Sequence, residues 1–263
     1  MPRIKLTIEY DGSDYAGWQI QKNGLGVQEV VEDGLTQLLG TPVRLHSASR
    51  TDAGVHARGM VAHFDTDIEI ALGAYREGLN RFLPPDVAVR QAEIVPESFH
   101  SRFSNSGKWY RYTICLTPVR SPLHRKYSWH VRKPVDIQLM REAAAYFVGC
   151  HDFSAFRASG CTARTTRKEI TSVTLTEQEP LLLIDVEGSG FLRGMVRIMV
   201  GTLLEVGQGA RAPEEVMALL AGGDRLAAGR TAPAHGLCLM EIDYREGYSR
   251  LGTELHGELV KKS

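Results

Sequence analysis

The run Ile4-Lys5-Leu6-Thr7-Ile8-Glu9-Tyr10 alternates apolar and polar side chains, the period of a strand with one covered face. Val27, Val30, Val31, Leu35, Leu38 and Leu39 follow at helical spacing despite Gly34, and Gly40-Thr41-Pro42 stops that helix. Residues 43–47 and 60–66 read as short strands, 71–82 as a second helix ended near Pro84-Pro85, and 87–93 as a strand. The order is β-α-β-β-α-β. The second half repeats it, with a strand over 109–116, a helix over 136–147, strands over 170–176 and 181–186, a helix over 192–206 and a strand over 237–242. A short extra helix begins at Pro213, with Glu214 and Glu215 in its first turn as the helix dipole favours. Two split β-α-β units in tandem predict an α+β protein of two ferredoxin-like domains with antiparallel or mixed sheets. The expected divisions are residues 1–104, residues 105–245 and a polar, glycine-interrupted tail over 246–263 that is loosely held.

Composition narrows the class. The chain has 263 residues, 43% hydrophobic and 24% charged, which excludes disorder, collagen and a disulfide scaffold. The four cysteines, Cys115, Cys150, Cys161 and Cys238, show no C-x-x-C spacing and read as buried thiols. Cys150-His151 with Cys161 falls short of the four ligands a zinc site needs, so no metal is expected. No run of 18 apolar residues occurs and the start carries no apolar signal core, so no membrane partner and a cytoplasmic location are expected.

Lys+Arg 31 balance Asp+Glu 31, so any case for a nucleic-acid partner rests on where the charges lie. Residues 98–135 hold eight Lys or Arg and no Asp or Glu, with Trp109, Tyr110, Tyr112, Tyr127 and Trp129 interleaved. Residues 153–168 form a second acid-free run, with Arg157, Arg164, Arg167 and Lys168 beside Phe153 and Phe156. Such runs fit a face that attracts phosphates, and equally a solvated strand surface over core aromatics.

Asp52 is the lone carboxylate between Gly34 and Phe64, among Arg44, Arg50 and Arg58. In Ser49-Arg50-Thr51-Asp52-Ala53-Gly54-Val55-His56 it reads either as a catalytic carboxylate between positive neighbours or as an Asx-turn residue serving loop amides. Arg197 lies in an almost wholly apolar helix, with no acid between Glu187 and Glu205. A guanidinium there either snorkels to the surface or takes an anion from elsewhere in the fold, and Asp52 is a candidate partner.

Arg50-Thr51-Asp52-Ala53-Gly54-Val55-His56 resembles the active-site loop of the TruA-type tRNA pseudouridine synthases. Tyr10-Asp11-Gly12, Tyr15-Ala16-Gly17-Trp18-Gln19, Trp109-Tyr110-Arg111-Tyr112, His151-Asp152-Phe153-Ser154-Ala155-Phe156, Gly190-Phe191-Leu192 and Ala232-Pro233-Ala234-His235-Gly236-Leu237 follow in the order of that family. The resemblance runs from about residue 3 to residue 244 and implies the pseudouridine synthase fold. It also implies a homodimer that isomerises uridines 38, 39 and 40 of the tRNA anticodon arm without metal or cofactor. By the same resemblance Asp52 is the nucleophile, Tyr110 packs on the target base, Arg197 pairs with Asp52, and Arg50 contacts the tRNA. Phe153 and Arg164 are assigned to substrate binding. Trp109 stands where the family often has a basic residue, a departure expected to alter RNA contacts. Whether the carboxylate attacks C1′ or first assists loss of a sugar proton stays open. A non-catalytic RNA-binding module lacks the need for a carboxylate among arginines. A metal-dependent phosphoesterase using Asp52 and His56 would need a carboxylate cluster for Mg²⁺ that this sequence does not show, and a glycoside hydrolase would need a second carboxylate near Asp52.

Overall fold

The computed structural model describes residues 1–244, so the tail expected to be loose lies outside the described residues. The strands are β1 (Arg3–Tyr10), β2 (His46–Ser47), β3 (His56–Asp65), β4 (Val87–Val95), β5 (Asn105–Leu116), β6 (Trp129–Val131), β7 (Gly149–Asp152), β8 (Arg167–Gln178), β9 (Leu181–Gly188) and β10 (Leu237–Tyr244). Among the described residues four α-helices accompany them: α1 (Val27–Leu39), α2 (Ile137–Ala145), α3 (Met195–Gly207) and α4 (Glu215–Leu220).

The strands form one mixed sheet in the order β4-β1-β3-β10-β5-β9-β8-β7, with β2 beside β3 and β6 beside β5. Within each half the order is fourth, first, third, second: β4-β1-β3-β2 and β10-β5-β9-β8. That is the ferredoxin-like arrangement of a split β-α-β unit. The halves meet where β3 pairs in parallel with β10, Cys238 opposite His56 and Leu239 opposite Ala57. Across β10, Leu239 also faces Tyr110 of β5. The seam therefore sets the segment that leads into β3 two strands away from Tyr110.

Local chemistry explains where the elements depart from expectation. β1 is buried on both faces, because Lys5 pairs with Glu93 at 2.7 Å and its ammonium lies over the Phe99 and Tyr244 rings. The strand expected over 43–47 shrinks to His46–Ser47. Side chains of α1 take both backbone groups of Leu45: Glu32 Oε1 accepts its N–H at 2.9 Å and Gln28 Nε2 donates to its carbonyl at 3.2 Å. The helix expected over 71–82 is instead a π-turn, Ala74–Gly78, running into a 3₁₀ turn, Leu79–Arg81. Gly73 and Gly78 lower its α-helical propensity. α3 begins at Met195 rather than 192, because Gly194 takes a left-handed φ of 70° that L side chains avoid. α2 starts after Asp136, whose carboxylate accepts the Leu139 N–H at 3.0 Å.

Candidate active site

The loop between β2 and β3 is held from both sides. Thr51 Oγ1 bonds the Tyr10 hydroxyl at 2.7 Å, the Trp18 N–H donates to the Thr51 carbonyl at 3.2 Å, and the Gly54 N–H donates to the Tyr15 carbonyl at 3.3 Å. The Val55 N–H closes a turn onto the Asp52 carbonyl at 3.1 Å. His56 fixes the loop's end: its Nδ1 accepts the Gly12 N–H at 3.0 Å, and its Nε2 lies 3.0 Å from the Lys126 carbonyl and 3.2 Å from that of His235. Two carbonyls cannot donate, so the Nε2 carries the proton.

The Asp52 side chain is left out of this turn bonding and reaches across the seam. Arg197 Nη1 donates to its Oδ2 at 3.0 Å, and Arg193 Nε stands 3.7 Å from its Oδ1. Arg197 is itself aimed by a second bond, Nε to the Ala232 carbonyl at 2.7 Å, while the Ala232 N–H returns to the Arg197 carbonyl at 3.0 Å. The guanidinium therefore does not snorkel: it is half-buried and fully oriented. Tyr110 lies almost enclosed, 6% exposed, with its hydroxyl 3.0 Å from Ser49 Oγ and its ring edge-on to Phe191 at 5.1 Å. Burial pushes its phenol up to about 12, the Ser49 hydrogen bond opposing and the Asp52 charge adding. Tyr110 is thus a neutral hydroxyl at ordinary pH.

The other expected site residues scatter. Arg50 and Arg164 are exposed. Phe153 has no exposed surface and packs among Phe147, Phe156 and His151, so it belongs to the core and offers no face to a substrate. The alternation of rings and cations along 153–168 sorts rings inward and charges outward. Trp109 and Arg111 share one partner, the Asp185 carboxylate, at 2.6 Å from the indole nitrogen and 2.8 Å from Arg111 Nε. That pairing cancels one charge of the basic run.

Three contributors escaped the sequence reading. Arg193 lies four residues before Arg197, a spacing that places both cations at one carboxylate. Lys108 alternates with Tyr110 along β5 and donates to the Ala48 carbonyl at 3.0 Å and Ser49 Oγ at 3.3 Å. Burial lowers Lys108 to about 8, with Arg102 and Lys168 adding to the effect. Phe191 sits in a quoted motif yet shows its role only through its contact with Tyr110. Among the described residues no group of three His, Cys, Asp or Glu side chains is placed to hold a metal ion.

The sequence model of the family described as tRNA pseudouridine synthase matches residues 6–104 and 143–245. The chain belongs to the tRNA pseudouridine synthase family. It is 61% identical over 244 residues to tRNA pseudouridine synthase A of Syntrophotalea carbinolica, covering 93% of this chain and 97% of that one. Against tRNA pseudouridine synthase A of Pelobacter propionicus the identity is 56%, over 93% of this chain and all of the other. Against that of Myxococcus xanthus it is 49%, covering 94% of each. This pseudouridine synthase is thus an enzyme of isomerase type, and no helix among its described residues is long and apolar enough to cross a membrane.

Proposed function

We propose that the enzyme converts uridine to pseudouridine at positions 38, 39 and 40 of the tRNA anticodon stem-loop, as a cytoplasmic homodimer. The pairing of Asp52 with Arg197 across the seam carries this reading. It joins residues 145 apart in sequence and leaves one carboxylate oriented and half-buried.

In this reading the target nucleotide is first drawn out of its stack, at a cost of about a few kcal/mol. Asp52 attacks C1′, and the N1–C1′ bond breaks with its electron pair leaving on the uracil. The detached base turns against Tyr110 and bonds to C1′ through C5 as the carboxylate departs. The proton on C5 is lost and N1 gains one, so no atom enters or leaves overall. Arg197 holds Oδ2 in place and Arg193 stands beside Oδ1, so the carboxylate is positioned before substrate arrives. Exposed Arg50 and Arg164 are assigned to the RNA backbone.

The test is to incubate purified enzyme with unmodified tRNA and map carbodiimide-dependent primer-extension stops. Stops at 38, 39 or 40 are expected, and stops elsewhere or none would overturn the reading. Light scattering should give about twice the chain mass of 29.1 kDa, whereas a monomer would remove the homodimer from it.

A further inference from the structure

Beside the catalytic loop lies a cavity of about 390 Å³, lined by Arg120, His124, Arg125, His130, His235 and the buried Cys115 among others. The size is that of a site for one small molecule or one unit of a polymer. Among the described residues no Asp or Glu lines it, although the chain carries as many acids as bases. Arg120 and Arg125 are exposed, and Arg125 Nη1 donates to the Pro122 carbonyl at 2.8 Å, which ties that guanidinium to its own loop. His130 Nε2 donates to the Thr117 carbonyl at 2.8 Å, which fixes the ring at the cavity wall.

The cavity is also joined to the chemistry. His56, four residues after Asp52, binds the carbonyls of Lys126 and His235 with one nitrogen, and so ties the segment before β6 to the His235 turn and both to the catalytic loop. Tyr127 donates to Asp11 Oδ2 at 2.8 Å and packs its ring 5.1 Å from His56. A ligand between these two segments therefore lies against the flank of the Asp52 loop.

We propose that this cavity holds one sugar–phosphate unit of the RNA substrate, away from the target uridine, with its phosphate taken by Arg120 and Arg125. The proposal rests on the tRNA reading above. Guanidiniums bind phosphate through paired N–H donors, and a cavity without carboxylates presents no repulsion to an RNA backbone.

The test compares wild type with the double variant Arg120→Ala/Arg125→Ala on an unmodified tRNA transcript. Binding should weaken about tenfold at 0.1 M salt, and the slope of log affinity against log salt should become shallower by about one to two. Pseudouridine formation at saturating tRNA should stay within about twofold of wild type. The pair Arg120→Lys/Arg125→Lys keeps the charges but not the paired donors, so it should restore the salt slope and only part of the affinity, which separates a lost contact from a lost fold. Unchanged affinity and salt slope in the alanine pair, with wild-type pseudouridine formation intact, would overturn the proposal. Failure of the wild-type enzyme to modify any tRNA would instead overturn the functional reading, and filter binding with the same variants would still decide the cavity's role.

Discussion

Arg197 shows how one half-buried cation organises the candidate site. Its Nε and Nη1 serve the Ala232 carbonyl and Asp52 Oδ2, so its removal breaks the carboxylate's direct hydrogen bond and one of the two bonds to Ala232, the backbone one remaining. Arg197→Leu should fold, because an apolar helix accepts leucine, while turnover falls at least about a hundredfold, as for loss of one preorganised donor. Turnover within tenfold of wild type would show that Asp52 does not need the pairing. Lys108 makes a second prediction at this scale. Its folded value of about 8 lies below its ordinary value of 10.5, so between these two pH values the unfolded chain binds the extra proton. Stability should therefore rise from pH 8 to about pH 9.5, measured by urea midpoint, and Lys108→Met should lack this rise. Equal pH profiles for both proteins would contradict the burial of that ammonium. The tie between Asp52 and Arg197 was half legible in sequence: an arginine in an apolar helix without nearby acids either snorkels or takes a distant anion, and only the fold decides between them. Phe153 misled for the opposite reason: the same ring beside the same cations fits a surface or a core, and only burial separates them.

At the scale of elements, α3 and the segment at 229–232 act as one unit. A Cβ on Gly201 would stand 1.7 Å from the Arg230 carbonyl oxygen, so helix and segment approach at a distance only glycine permits. Thr202 Oγ1 fastens the same contact by accepting the Gly229 N–H at 3.0 Å. Gly201→Ala should cost about 1–3 kcal/mol by overpacking and should also lower turnover, since the displaced backbone carries the Ala232 carbonyl that aims Arg197. Loss of stability with full turnover would separate the contact from the site. The alternating and helical periods of most elements were readable in sequence. The exceptions have local causes: the side chains of Glu32 and Gln28 take Leu45 from a strand, the left-handed backbone at Gly194 delays α3, and Gly73 and Gly78 weaken the helix expected over 71–82. The short strands β6 and β7 carry too few residues to show a period.

Across the whole molecule, function depends on two repeats sharing one sheet. The repeated strand order was legible, because each half writes it locally, but the parallel pairing of β3 with β10 joins residues about 180 apart in sequence and leaves no periodic trace. That pairing brings the Asp52 loop of the first half to Arg197 of the second and within two strands of Tyr110. The central claim is that Asp52 is the nucleophile and not a turn residue. Its near-isosteric replacement separates these, because Asn keeps the size and the acceptor oxygen but cannot act as a carboxylate nucleophile. The most direct measurement is pseudouridine formation by Asp52→Asn on unmodified tRNA, with mass spectrometry excluding deamidation and Asp52→Ala as a control that cannot revert. The account predicts a wild-type melting temperature and tRNA affinity with no detectable product; product formation above about a hundredth of the wild-type rate would contradict it.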